Sequence, residues 1–278
     1  MKTPEGKIAM RWVILAGAII LMSAGTASQA ANQCIVCHQS TETLQALPEQ
    51  SRDSFLHWYG SIHGEKGVTC DSCHGGDPTE KSKVSAHTGI AKPSDPASKV
   101  YYKNLPDTCG ACHQPIANAF KESVHYQLLK ADQLAPTCTT CHGFYMDIQQ
   151  VRPTAIIMRC QFCHVAGGKA DSTVLKVVNR AFILREQTQA DLQEGSASVK
   201  LLKSTHRKYA QTARRVEEAK AKFRETAIVW HSMKLKRFEK AVEEAKDLAE
   251  SSLKMAQGEL LKGRRPAVSP MPEKEKKP

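Results

Sequence analysis

The sequence is poor in aromatic side chains: Phe, Trp and Tyr make up 6% of its 278 residues. That leaves few of the large rings that dominate most protein cores. No uninterrupted apolar run approaches the roughly 18 residues a membrane-spanning helix requires, so the chain does not read as a membrane bundle. Proline is missing from 154 to 265 and glycine from 196 to 257, which removes the usual helix breakers from the C-terminal third. No cysteine stands alone, because all 10 belong to one repeated pattern. With 41% apolar and 24% charged residues, the chain is not a disordered tail, and its length allows one or two domains.

The first 30 residues have the layout of a secretory signal. Lys2, Lys7 and Arg11 give a basic start, Trp12 to Met22 an apolar stretch, and Ser28-Gln29-Ala30 a small-x-small cleavage site. Cleavage would start the mature chain at Ala31 and place it in the periplasm or another extracytoplasmic compartment. Such compartments invite disulfides, so the cysteines need their own argument.

C-x-x-C-H occurs at Cys34/Cys37/His38, Cys70/Cys73/His74, Cys109/Cys112/His113, Cys138/Cys141/His142 and Cys160/Cys163/His164. This is the c-type haem attachment signature. Two cysteines three apart project from one side of a helical turn, where their sulfurs can form thioethers to the two vinyl groups of one porphyrin. The histidine that follows gives the iron its proximal nitrogen. A zinc ribbon pairs C-x-x-C units two by two and would leave one orphan. A disulfide scaffold explains neither the identical spacing nor the histidines. A thioredoxin-like pair uses one such motif near a βαβ pattern, and none is visible. The expected cofactors are five covalently bound haem c groups.

Between Ala31 and Val165 there are many prolines and glycines and no long apolar period of 3.6 residues. Porphyrins would supply the buried apolar surface there, with short helical turns at each motif. Distal iron ligands come from histidines outside the motifs: His57, His63, His87, His125, His206 and His231. His63 and His125 each end a Ser-x-His phrase ahead of a C-x-x-C-H, which favours both. His87 sits in a loop of small polar residues. His57 and His63, six apart, would point about 120° apart on one helix and could not cap the same iron. Met146, Met158 and Met233 are weaker candidates, since methionine more often fills core gaps.

Residues 34 to 164 resemble the multihaem cytochrome c superfamily, which includes cytochrome c nitrite reductase, hydroxylamine oxidoreductase and smaller electron-transfer cytochromes. The similar stretches run from Gly67 through Cys70-Asp71-Ser72-Cys73-His74 to Gly76, and from Ala135 through Cys138-Thr139-Thr140-Cys141-His142 to Gly143. The run Val229-Trp230-His231-Ser232-Met233-Lys234 is similar to the family's C-terminal helix, which implies His231 as a distal ligand and His206 as a poorer choice. Two departures stand out. The first motif ends in His38 rather than the lysine of many nitrite reductases, and Phe144-Tyr145-Met146 follows Gly143 where the family often places another histidine. One haem is then left to take its ligand from elsewhere, or to have none.

In the C-terminal third, Leu201, Leu202, Tyr209, Val216, Phe223, Val242 and Leu253 recur near helical spacing. One helix of about 60 residues would be about 90 Å long, so a hairpin bending near 226–234, or pairing with another subunit, is expected. The fold class is therefore mainly α: a haem-packed, loop-rich domain (31–165), then long amphipathic helices (166–263) and a charged, disordered tail (264–278). Residues 166–278 hold 25 Lys+Arg and 15 Asp+Glu, against 11 and 12 in residues 31–165. Five ferric haems with two propionates each would add about −5 to the latter. Basic helices beside an acidic haem part point away from nucleic acid and toward docking on propionate-bearing surfaces.

The expected function is an extracytoplasmic pentahaem cytochrome relaying electrons through mostly bis-histidine haems, with no catalytic residue. The alternative is a reductase or oxidoreductase of small nitrogen or sulfur compounds of the nitrite, hydroxylamine or tetrathionate type. It would act at one open haem, with His57, Tyr145 and Arg159 as pocket candidates. Expected partners are other redox proteins or a membrane quinol or reductase complex. The C-terminal helices would serve for self-association or for docking as a subunit.

Overall fold

A computed structural model describes residues 31–143, 146–168, 170–202 and 206–262. The expected signal segment 1–30, the tail 264–278 and Tyr145 lie outside the described residues. Among the described residues every regular element is helical and no strand occurs. Short helices come first: α1 (Gln33–His38), α2 (Thr41–Ala46), α3 (Glu49–Tyr59), α4 (Ile62–Glu65), α5 (Cys70–His74) and α6 (Lys83–Ala86). Then follow α7 (Leu105–Gly110), α8 (Gln114–Lys121), α9 (Val124–Lys130), α10 (Cys138–His142) and α11 (Pro153–Cys160). Three long helices finish the chain: α12 (Val174–Leu201), α13 (Tyr209–His231) and α14 (Leu235–Lys262).

Local chemistry starts and stops the short helices. Ser61 and Ser123 are N-caps whose hydroxyls accept from the backbone N–H of Gly64 and Tyr126, both at 3.1 Å. Such caps satisfy donors that a short helix cannot pair internally. Pro106, Pro115 and Pro153 stand in the first turns of α7, α8 and α11, where the missing N–H does no harm. After α5 the chain reverses at Gly75 and Gly76, with φ of 81° and 84°. A Cβ at Gly76 would lie 2.5 Å from the Ala86 carbonyl oxygen, so the approach of this turn to α6 requires glycine.

The long helices pack as a three-helix bundle, α14 against both α12 and α13. The bend expected at 226–234 is the turn Ser232–Lys234, with Met233 left-handed at φ 54°. One core cluster gathers Val178, Phe182, Val229, Trp230, Phe238 and Val242; a second gathers Leu192, Ala219 and Ala249. Burying each large apolar side chain contributes about 1.5–3 kcal/mol. Helix α12 begins well before the glycine-free stretch and runs through Gly195, where an added Cβ would sit 3.7 Å from Leu253 Cα on α14. The close helix approach offsets the weak helix propensity of glycine, about 1 kcal/mol. Buried threonines in the bundle bond back along their helices: Thr188 to the Leu184 carbonyl at 2.8 Å and Thr212 to that of Lys208 at 2.9 Å.

Residues 31–155 are built differently. Among the described residues their buried apolar side chains are Leu105, Pro106, Ala117, Ala119, Phe120 and Leu129, and none joins a core cluster. Tyr59, Val84 and Leu134 stand 72%, 82% and 92% exposed there, as do Met158 and Phe162 just beyond. The two parts meet where α8 packs on α13 and α11 on α12. Across the first join, the Glu122 carboxylate accepts from Lys234 Nζ at 2.7 Å and lies 3.7 Å from Arg237.

Candidate functional site

The five motifs each occupy a short helix or its end. Cys34 and Cys37 lie in α1, Cys70 and Cys73 in α5, and Cys138 and Cys141 in α10, each with its histidine as the last helical residue. Cys109 falls in the last turn of α7 and Cys160 ends α11, with Cys112-His113 and Cys163-His164 just beyond. All ten thiols are unbridged. Among the described residues no group of three His, Cys, Asp or Glu side chains converges as a metal cluster would. The histidines come instead in twos.

Four motif histidines each face one histidine from outside the motifs. His38 faces His87 with ring centroids 6.1 Å apart, His113 faces His63 at 6.0 Å, His142 faces His231 at 6.1 Å, and His164 faces His125 at 6.1 Å. The ring planes are inclined by 54°, 39°, 9° and 68° respectively. The spacing is nearly constant although the inclinations differ widely, and it suits a metal between the rings. An imidazole nitrogen sits about 2.0 Å from a metal it ligates, which puts the ring centre about 3.1 Å away. Two rings on opposite sides are then about 6.2 Å apart.

Outer hydrogen bonds aim these rings. Nδ1 of His87 lies 2.7 Å from the Lys83 carbonyl oxygen, that of His231 2.6 Å from Ala227, that of His164 2.6 Å from Asp171, and that of His142 3.2 Å from Gln149. A carbonyl can only accept, so Nδ1 carries the proton and Nε2 keeps its lone pair for a metal. Burial, with the facing histidine adding to it, pulls His38, His63 and His125 below the usual imidazole range. Burial does the same for His231, with His142 contributing and the Ala227 carbonyl opposing. In all four the surroundings favour the neutral imidazole. Nδ1 of His125 is buried with no hydrogen-bond partner among the described residues.

The motifs follow one another in space as they do in sequence. Burial and the adjacent Cys34 push the Cys70 thiol up to about 11, and burial with Cys112 raises Cys73. A hydrogen bond from Cys109 draws Cys138 down to about 7, and burial with Cys160 pushes Cys141 up to about 11. Each motif thus has a sulfur beside a sulfur of the next.

The pairing pattern was not readable from the motifs. His63 and His125, carried by the Ser-capped helices α4 and α9, each skip the next C-x-x-C-H and face the one after it. His87 reaches back to the first motif, and His231 returns from the end of α13. The repeated Ser-x-His phrase marks the two helices that carry His63 and His125, but only the three-dimensional path of the chain fixes which motif each one faces.

Other candidates fall elsewhere. His57 is exposed in the last turn of α3, which ends at Tyr59, so it and His63 do not share a helix. His206 sits by the bundle, its Nε2 4.0 Å from Glu259 and its Nδ1 accepting from the Lys208 N–H. Met233 packs against the bundle core and Met158 is 66% exposed. Arg159 donates to the Thr140 carbonyl oxygen at 2.8 Å and so braces α10. A groove between α12 and α13, lined by Leu192, Lys200, Phe223 and Arg224 among others, contains none of the motif residues. Comparison of the chain with models of protein families, with characterised proteins and with solved structures finds no match.

Proposed function

We propose that this protein is an extracytoplasmic pentahaem c-type cytochrome that relays electrons between redox partners. One observation carries the reading: four imidazole pairs about 6 Å apart, each joining a motif histidine to a histidine from elsewhere in the chain. Chance packing would not select one member of every pair from C-x-x-C-H. The exposed apolar side chains of the motif region, and its thin core beside a well-packed bundle, fit a chain that wraps large apolar groups.

Bound at the five motifs, haem supplies one ferric/ferrous couple per site. The chain's own residues do the rest. The cysteine pairs would tether the groups against loss, and the four histidine pairs His38/His87, His63/His113, His142/His231 and His125/His164 would hold the iron at four of the sites. The carbonyls behind Nδ1 keep the rings oriented and enrich their basicity. Consecutive motifs that lie near one another, with Cys109 hydrogen-bonded to Cys138, would make a continuous route along the chain. The signal-like start supports export, and among the described residues no helix is long and apolar enough to cross a membrane.

The test is the exported protein itself. Five covalent haems per chain by pyridine haemochrome and intact mass, with predominantly low-spin ferric spectra and reversible reduction, are expected. The nearly parallel His142–His231 planes and the steeply inclined His125–His164 planes should give electron paramagnetic resonance signals of different anisotropy. Colourless mature protein, or zinc in place of haem, refutes the reading.

A further inference from the structure

The five motifs differ in what stands between their cysteines. The first holds Ile35-Val36 and the fifth Gln161-Phe162, while the inner three hold Asp71-Ser72, Gly110-Ala111 and Thr139-Thr140. Large apolar side chains therefore occur only at the two ends of the row. Its order follows from α1 on α5, Cys73 beside Cys112, α7 on α10 and α10 on α11. The ends also differ in charge. Residues 31–80 hold seven acidic groups against Arg52 and Lys66, whereas between 150 and 185 six Lys or Arg stand against Asp171 alone. We infer that the surface around Phe162 and Cys163, at the fifth motif, is the docking face for an acidic redox protein that exchanges electrons with the haem held there. This rests on the haem reading above and gives that reading a partner class and a point of entry.

The centre of the face is apolar. Phe162 is 85% exposed, and Met158 and Val165 are exposed beside it. Their own haem would not cover Phe162. The helical turn of α11 continues through the motif, with the His164 N–H donating to the Cys160 carbonyl at 2.9 Å. At about 100° per residue, Cys160, Cys163 and His164 fall within about 100° of one another, and Phe162 points to the opposite side. Met158, four residues earlier, shares its face. Cys163 is exposed, so the thioether edge of a porphyrin bound there would emerge beside the apolar patch. A patch of this kind with a polar rim marks a contact surface.

The rim is cationic. Arg159, Arg180 and Arg185 are engaged within the chain, with the Thr140 carbonyl, Glu239 and Thr226. Arg152 and Lys176 are exposed. Arg152 is the N-cap of α11, about 15 Å from Phe162 at 1.5 Å per residue. Lys176 stands in the first turn of α12, which packs on α11. The Asp171 carboxylate is turned to its own loop, accepting from the Thr173 N–H at 2.8 Å and hydroxyl at 2.7 Å. Opposite charge on a partner raises the rate of encounter more than the affinity, which suits a small, transient electron-transfer contact. One electron passes from the reduced partner to ferric iron, leaving the partner oxidised and the haem ferrous, with no bond made or broken.

The probe is a reduced, acidic plant-type ferredoxin, with a potential of about −400 mV, mixed by stopped flow with the ferric, haem-loaded full chain. The bimolecular rate should fall about tenfold or more as ionic strength rises from about 0.01 M to about 1 M. Arg152→Glu with Lys176→Glu should slow it about tenfold at low salt and flatten the salt dependence. Phe162→Ser should slow it at both ionic strengths. Lys240→Glu with Lys254→Glu, an equal charge change on exposed lysines of α14, should alter it by less than about twofold. A rate independent of salt, or the same loss from either pair, overturns the inference while leaving the haem reading intact. So does a salt-reversible self-association in sedimentation velocity that Arg152→Glu with Lys176→Glu abolishes, which assigns the face to the acidic start of a second copy. Protein with no covalent haem, seen at once by pyridine haemochrome, overturns both.

Discussion

Phe238 joins the packing of the bundle to the histidine pair of the fourth motif. It is 1% exposed, with its ring 5.1 Å from Trp230 and 5.5 Å from Phe182. Trp230 immediately precedes His231, the residue opposite His142. Replacing a buried phenylalanine by alanine typically costs about 3–5 kcal/mol, from lost transfer energy and the cavity left behind. The lost ring pairs, each about 0.5–1.5 kcal/mol, place Phe238→Ala toward the upper end. Against a total stability of about 5–15 kcal/mol, that is a third or more, and the melting temperature should fall by about 10 °C or more. Thermal and urea unfolding of the haem-loaded protein, followed by far-ultraviolet circular dichroism, measures it. The end of α13 should loosen, so a fraction of the haem at Cys138/Cys141 should become high-spin while the other histidine pairs stay closed. Phe238→Leu should lose about 1.5 kcal/mol or less. A loss below about 1 kcal/mol for Phe238→Ala would refute the claim that this aromatic trio holds the bundle end in place.

His231→Gly should convert one haem to high-spin, with low-spin character restored by added imidazole; His206→Gly should leave the spectrum unchanged, and ferric absorption spectra decide both. Gly76→Ala forces a Cβ against the Ala86 carbonyl at φ 84°; it should lower the melting temperature and shift the His38–His87 signal in electron paramagnetic resonance more than any other. The Glu122 carboxyl is held below its usual range by the Lys234 hydrogen bond and charge, with Arg237 assisting. Its folded pKa lies below its unfolded one, so its contribution is present above the unfolded value of about 4.3 and is lost as pH falls through the folded value. Glu122→Gln should therefore lower the melting temperature slightly at pH 7, with the difference from wild type vanishing in acid.

Much of the site's chemistry is carried by local sequence. C-x-x-C-H needs only one helical turn, and all five copies lie on or at the end of a short helix. Ser61 and Ser123 cap helices in the manner their side chains dictate, and His63 and His125 ride on those helices. What local sequence does not encode is distance. His87 reaching back to His38, or His231 returning to His142, depends on how loops and the three-helix bundle place the chain. His57 lacks the Ser-x-His phrase of His63 and is left exposed in the last turn of α3, which ends at Tyr59. In the bundle, apolar periodicity indicates helices and a bend, while the passage of α12 through Gly195 follows from contact with α14, which no window of sequence contains.

The histidine pairs cross over one another along the chain, and this has a kinetic consequence. The first motif cannot acquire its second imidazole until residue 87 is in place, by which point the second motif has already passed. The fourth must wait for His231, near the far end of the polypeptide. Closing so wide a loop is entropically only a little harder than closing a short one, about 0.6 kcal/mol per doubling of length, but it comes last. A nascent or partly exported chain would thus carry a temporarily unsealed iron at Cys138/Cys141, and a C-terminal truncation would make that transient state permanent.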